Sequence, residues 1–344
     1  MWRKPQIWIG VVVSVIALFF AVRGIEWAKL GEALRVAQYI YLIPAMLLLL
    51  AAMAIRGERW RWLYGERRAK LSFWRTFNAL SIGYFVTNTF PLRLGEVART
   101  IFIARDGAVT IAHTASTIVV EHVVDVLTVL GILVVLLAGR SVPLPDWAVQ
   151  GATLSAYAFG GALIVMLIMV WQRARVERWA ERILDRISVL HTQTWLTRVI
   201  HILDGFAVLQ PGKPLIMILF WSVAGWLCSA LTFHVALMAF VPNPSFVIAL
   251  FTTVTTTFAL LLPATPGALG VMQGAIVLSL AVFNLPQETA LSFAIVFHVS
   301  EIIVMDLAGA IALWREAGSW AAMKSQLRSV TSAKVDRMTP SSEV

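Results

Sequence analysis

Two runs near the start of the chain, "IWIGVVVSVIALFFAV" (7–22) and "YIYLIPAMLLLLAAMAI" (39–55), contain no charged side chain. Inside lipid such a run has no water to bond, so its N–H and C=O groups must pair within the segment, which makes it a helix. Further apolar segments cover 73–90, 92–104, 109–138, 149–171, 214–240, 245–262, 268–283 and 288–313. The 344 residues are 59% hydrophobic and only 14% charged, too few charges to cover the outer faces of a soluble helical protein of this size. The expected fold is therefore all-α, a polytopic membrane protein.

These segments cannot all be spans, because one crossing takes about 20 helical residues. Charge decides among them. Arg3 and Lys4, the stretch "RGERWRWLYGERRAKLSFWR" (56–75), the stretch 171–198, Lys213 and the tail from Arg315 are basic and are expected in the cytoplasm. The loops 23–38, 140–148, 241–244 and 284–287 hold only Arg23, Lys29, Arg35 and Arg140 as basic residues. If 73–90 crossed completely, 109–138 would run the wrong way and the Arg-rich stretch 171–198 would face outside. The conflict disappears if 73–89 and 92–104 form a re-entrant helical hairpin turning at Pro91. The same count requires a second hairpin, 245–262 with 268–283, turning at "PATPGALG" (263–270) and entering from the opposite face.

The order is then span, span, hairpin, span, repeated upside down. One membrane-embedded unit is expected over 1–318, with inverted halves at about 1–139 and 149–318. A shift of 175 residues lays Pro91, Leu94 and Gly95 on Pro266, Leu269 and Gly270, the kind of echo expected of an inverted-repeat transporter. The competing reading, Pro-Gly kinks within long spans, needs the charge bias to fail twice. Segments 23–38 and 176–200 read as amphipathic interfacial helices, and 319–344 as a basic, disordered cytoplasmic tail. "MWRKPQ" ahead of the first run lacks a small-x-small cleavage site and reads as part of a retained anchor. Both termini are expected in the cytoplasm.

The net charge of +9 lies in short loops beside apolar segments, a topology bias and not a nucleic-acid footprint, so no nucleic-acid partner is expected. Cys228 is the sole cysteine, which rules out a disulfide framework and a thiolate metal site. P-loop, H-E-x-x-H, C-x-x-C and G-x-S-x-G motifs are all missing from the sequence. An enzyme is not expected, and neither a cofactor nor a metal.

A charged side chain at mid-membrane costs about 2.5–3.5 kcal/mol on insertion scales, while one Leu returns about 0.3–0.6. Charges expected at depth are therefore the candidates for function. Arg93, Glu96 and Arg99 follow the turn "FPLRLGEVART" (90–100) at i, i+3 and i+6, on one side of the returning helix. That helix starts at the hairpin tip, so its N-terminus favours an anion, and Arg93 beside it suits a phosphate. Alternatively Arg93 and Glu96 neutralise each other to hold the tip. Glu121 and Asp125 stand at i and i+4 near the middle of 109–138, as proton-relay candidates or partners for Arg93 and Arg99, with partnership favoured for Glu121. His298 and Glu301 stand at i and i+3 in the last span, where His298 alone fits packing as well as function; Asp306 is expected to make an interhelical hydrogen bond. In the second hairpin "FTTVTTTFA" (251–259) brings five threonines, for which back-bonding to the helix is the commoner use than lining a cavity. Its tip presents Gly267, Gly270 and Gln273 beside another inward-pointing helix N-terminus, after Pro263 and Pro266.

The stretches "RGERWRWLYG", "NTFPLRLGEVARTIFIARDG", "STIVVEHVVD", "LLPATPGALGVMQGAIVLSL" and "ALSFAIVFHVSEIIVMDLAG" resemble, in order and spacing, the transmembrane flippase domain of lysylphosphatidylglycerol synthases and their stand-alone relatives. The resemblance runs from about residue 5 to 318. It implies a prokaryotic inner-membrane protein that moves lipids with anionic or modified headgroups between leaflets, with phospholipid, glycolipid or isoprenoid-linked cargo for stand-alone members. Pro91, Arg93, Gly95, Glu96, Glu121 and Asp125 match the family pattern, as do Pro263, Pro266, Gly267 and Gly270. Gln273 stands where the family usually has Glu and His298 where it has Arg, so a negative and a positive group are lost together and a different substrate is implied. No aminoacyl-transferase domain follows, so lipid aminoacylation is not expected.

The leading expectation is a flippase-like lipid transporter with a membrane lipid as substrate. Arg93, Glu96, Arg99, Gly267, Gly270 and Gln273 would bind it, and Glu121, Asp125, His298 and Glu301 would balance charge or carry protons. Pro91, Gly95, Pro263 and Pro266 would shape the tips. A non-transporting accessory subunit, working beside a partner enzyme of a glycolipid or envelope pathway, is the first alternative. A membrane-embedded transferase using a lipid-linked donor is the second, though the outer loop offers it only Glu26 and Glu32.

Overall fold

The computed structural model describes residues 5–90, 94–139 and 212–317, with scattered positions between 142 and 161. The expected helix 176–200, the tail 319–344 and most of the expected span 149–171 lie outside the described residues. Among the described residues all regular structure is helical: α1 (Pro5–Val22), α2 (Trp27–Val36), α3 (Leu42–Leu63), α4 (Phe73–Thr89), α5 (Leu94–Ala104), α6 (Ile111–Ala138), α7 (Lys213–Leu237), α8 (Phe246–Ala259), α9 (Val271–Ala281) and α10 (Gln287–Ala317). The chain is an all-α, polytopic membrane protein. α3 with its leading turn, α6, α7 and α10 are each long and apolar enough to cross a bilayer, and α2 bends 86° away from α1. That bend turns the amphipathic α2 across the end of the bundle, as an interfacial helix requires.

Local chemistry sets the helix ends. Ser72 Oγ accepts from Arg75 N–H, Thr110 Oγ1 from His113 N–H and Ser245 Oγ from Val247 N–H, capping α4, α6 and α8. Proline stops α4: a residue before proline is driven out of the α region, and Phe90, before Pro91, is extended at φ −118°, ψ 145°. Thr265, before Pro266, is extended for the same reason at φ −62°, ψ 163°. The chain cannot run through either break as one helix.

Both breaks return the chain to the end it came from. Arg75, at the start of α4, pairs with Asp106 just past α5 at 2.8 Å and donates to the Ile103 carbonyl at 2.7 Å, so α4 and α5 lie antiparallel with the tip far from that end. Gly95 makes this possible: a Cβ there would overlap the Gly83 carbonyl and Thr87 Oγ1 of α4. In the second hairpin, Ser279 Oγ on α9 donates to Thr252 Oγ1 on α8 at 3.1 Å, again between antiparallel arms. Its tip is a 3-10 turn, Pro266–Ala268, followed by Gly270 at φ +87°, a conformation that side chains resist. Gly270 packs on the Ser14 carbonyl of α1, and Ser14 Oγ bonds Thr265 N–H at 3.1 Å.

Helix contacts correspond between 42–138 and 213–317. α3 and α7 run antiparallel along their length, through Gln38 N–H to the Ala239 carbonyl, Cys228 Sγ to the Leu48 carbonyl, and Arg59 to Ser222. α3 packs on α4 as α7 packs on α8, α5 on α6 as α9 on α10, and α4 on α10 as α8 on α6. The α4–α10 seam is closed by Asn78 to Glu316 and Asn88 to Asp306, both 2.9 Å, with Asp306 making the expected interhelical bond. Large apolar side chains such as Val135, Ile216, Leu278 and Leu307 point outward, as lipid-facing positions should. Trp74 and Trp314 are exposed at the basic end and Trp27 at the other, where interfacial aromatics belong.

Candidate functional site

α3 does not end at residue 55, as the charge-free run suggests, but carries on through "RGERWRWL" to Leu63. The basic stretch expected in a loop therefore begins inside a helix, because Arg56 and Arg59 find partners within the bundle. Arg59 is only 2% exposed. Its guanidinium forks onto Asp125, with Nη1 donating to Oδ1 and Nη2 to Oδ2 at 3.0 Å, while Nη2 also reaches Glu121 Oε1 at 3.1 Å. Arg99 closes the other side of Glu121 at 2.8 Å and lies over the Trp60 ring, 4.9 Å from its centroid. Trp226 Nε1 donates to Asp125 Oδ1 at 2.9 Å and Trp60 Nε1 to Thr117 Oγ1 at 3.1 Å. Two guanidiniums and two carboxylates thus form one buried frame joining α3, α5 and α6, with α7 against it. Isolated, each of these charges would cost several kcal/mol in this environment; mutual pairing is what lets them stay.

The second hairpin tip meets the end of α4. Gly267, at φ +64°, lies by the Asn88 carbonyl near the end of α4 and by Ile302 of α10. On the first tip Glu96 pairs with His122 of α6 at 3.0 Å, and their side chains are 38% and 51% exposed, far more open than the Arg59 frame. On the second tip Gln273 caps α9: its Oε1 accepts from Gly270 N–H at 2.7 Å. The other end of the amide, Nε2, meets His298 Nδ1 at 2.9 Å. Because Oε1 is taken by a backbone donor, Nε2 is the donor to His298, which puts the imidazole proton on Nε2 towards the Gly267 backbone. The two positions that depart from the family pattern are therefore in direct contact, as a neutral pair.

The expected site residues fall into separate groups. Arg99, Glu121 and Asp125 share the ionic frame, and Asp125 is held by Arg59, a residue that charge alone would place in a loop. Gly267, Gly270, Gln273 and His298 form the second tip, with Pro266 opening its turn and Pro263 exposed on the approach. Gly95 and Glu96 begin the returning arm of the first. Pro91 and Arg93 lie outside the described residues. Glu301, one turn beyond His298, makes no ion pair or hydrogen bond among the described residues. All five threonines of α8 bond back to carbonyls of their own helix, so they line no polar path through these bonds. Sequence reasoning missed Arg56, Arg59 and His122. A signal was present, since Arg56, Arg59 and Trp60 continue the helical spacing of the apolar run, but a cluster of charge at that point reads as the end of the helix. Among the described residues no cluster of side chains could hold a metal ion.

A family model described as "Lysylphosphatidylglycerol synthase TM region" matches residues 7–309. The chain is also similar to a "UPF0104 membrane protein" of Methanothermobacter thermautotrophicus, 25% identical over 315 residues, which cover 87% of this chain and 90% of that one. No solved structure matches.

Proposed function

Because the chain belongs to the lysylphosphatidylglycerol synthase TM region family, we propose that it is a flippase-like lipid transporter, not an enzyme, moving a lipid with a phosphate-containing or anionic headgroup between leaflets. One observation carries the reading: two broken helical hairpins reach in from opposite ends and touch at Gly267 and Asn88, between halves whose helix contacts correspond. Irregular backbone within a bilayer is tolerated only where protein or a water-filled path surrounds it, and facing hairpin tips are where inverted-repeat transporters hold their cargo. The half-exposed Glu96–His122 pair supplies a polar edge at that level, while the acyl chains stay in lipid along the apolar outer faces. Residues 1–318 form one membrane unit in this reading. The basic end faces the cytoplasm with both chain termini, and the membrane is the prokaryotic inner membrane.

The test is reconstitution of the purified protein into vesicles with a fluorescent phospholipid whose outer-leaflet copies are bleached by dithionite. Faster loss of the protected signal than in empty vesicles is expected; equal rates would sink the proposal. The neutral Gln273–His298 pair, at positions where the resemblance implies an ion pair, favours a second reading as an accessory subunit of an envelope-lipid pathway. Under that reading the isolated protein moves no lipid and co-purifies with a partner enzyme.

A further inference from the structure

Arg56 is one turn from Arg59 on α3, yet it is treated differently by its surroundings. Its Nη1 donates to the Tyr84 hydroxyl of α4 and its Nη2 to Ser229 Oγ of α7, both at 3.2 Å, and the Trp226 ring centroid lies 5.0 Å from the guanidinium carbon. Among the described residues no carboxylate forms an ion pair with it, whereas Arg59 and Arg99 are both neutralised. On α10, which packs on α3, Glu301 makes no ion pair or hydrogen bond among the described residues. Arg56, Tyr84, Ser229 and Glu301 are all half-buried, and they come from two helices of each half. Arg56 and Glu301 therefore sit on two helices that pack together, α3 and α10, without an ion pair between them among the described residues.

A guanidinium held at its edge by two hydroxyls and backed by an aromatic face is oriented but not neutralised. Three of its five N–H donors remain for the oxygens of a phosphate, and the Tyr84 hydroxyl beside it can donate to the same group. We propose that Arg56 is the phosphate-ester ligand of this protein and that Glu301 is its exchangeable counter-charge. Glu301 balances Arg56 when no phosphate is bound, and an incoming phosphate takes its place. This deepens the transporter reading, on which it rests for the lipid source of the phosphate. The chemistry is shared by a phospholipid headgroup and a free phosphate.

The experiment uses the full chain in nanodiscs of phosphatidylcholine with phosphatidylglycerol, with retained lipid read by native mass spectrometry and inorganic phosphate added in a parallel thermal-shift series. Arg56→Gln should lower phosphatidylglycerol retention roughly tenfold or more, the loss of a charge-assisted contact. Arg56→Lys should restore part of it, and Glu301→Gln should raise it above wild type by removing the competing anion. If Arg56→Gln fails to fold, Tyr84→Phe carries the test, with a several-fold drop expected from the lost hydroxyl. Retention unchanged in Arg56→Gln, or unchanged in Tyr84→Phe where that variant stands in, would overturn the proposal, as would Glu301→Gln lowering retention. An Arg56-dependent shift with inorganic phosphate but no lipid preference would keep the site and make its ligand a soluble phosphate. Lipid translocation that persists in Arg56→Gln with unchanged retention would remove the site and leave the transporter. Arg56-dependent retention without translocation by the wild type would do the reverse.

Discussion

Arg99, on the returning arm of the first hairpin, meets Glu121 on the span after it; Gln273, on the returning arm of the second, meets His298 on its own succeeding span. Each contact joins a returning arm to the span that follows it, ionic in the first case and neutral in the second. The ionic version draws in long-range partners, because each buried charge demands a counter-charge: Arg59 comes from α3 and Asp125 lies one turn along α6. The neutral version is satisfied locally, by the helix cap at Gly270. The first half is therefore expected to be rigidly specified by its charges, and the second by close backbone packing, with α1 seated on Thr265 and Gly270.

The hardest blow to this contrast is Arg59→Ala. It strands Asp125 and part of Glu121, and a broken buried pair costs about 3–5 kcal/mol. Thermal unfolding in detergent should show a large loss, with Arg59→Lys recovering only a fraction, since an ammonium cannot fork onto both carboxylates. A wild-type melting curve for Arg59→Ala would show that the frame is not structural.

Gly95→Ala should come next, at about 1–3 kcal/mol, because the new methyl meets backbone that cannot turn aside. Gly131→Ala on α6, where a Cβ meets nothing within 4 Å, is the matched control and should melt at or slightly above the wild-type temperature.

The neutral contact can be converted to an ionic one. Gln273→Glu loses the donor to His298, and His298→Arg places a cation beside a neutral amide; the double variant should be more stable than the sum of the singles predicts, with a coupling of about 0.5–3 kcal/mol. Additive losses would mean that the two positions are independent. The smallest effect is expected for Thr257→Val, within about 0.5 kcal/mol, since only a back-bond to Thr253 is lost. Thr252→Val, which also loses the bond from Ser279, should exceed it by about 1 kcal/mol on the same unfolding assay.

Much of the architecture was legible because it rests on local rules. The charge-free runs marked helices, Pro91 and Pro266 marked the breaks, and the distribution of basic loops required hairpins where α4–α5 and α8–α9 stand. The pairing of Arg99 with Glu121 was within reach of helical spacing and the cost of isolated charges. The end of α3 was not, because a run of arginines reads as solvated until partners on other helices are known, and those partners lie 62 and 66 residues away. The contact between Gln273 and His298 could be guessed only from their joint departure from the family pattern.

Residue order alone specified an all-α membrane chain broken twice, because hydropathy and proline geometry are enough for those features. Each of these rules acts within a few residues or against the bilayer as a whole. Which arginine is neutralised and which is left open was decided only by tertiary structure. Arg56 and Arg59 are one turn apart on the same helix and identical in kind, and the difference between them is made by Asp125, Glu121, Tyr84 and Ser229 on three other helices.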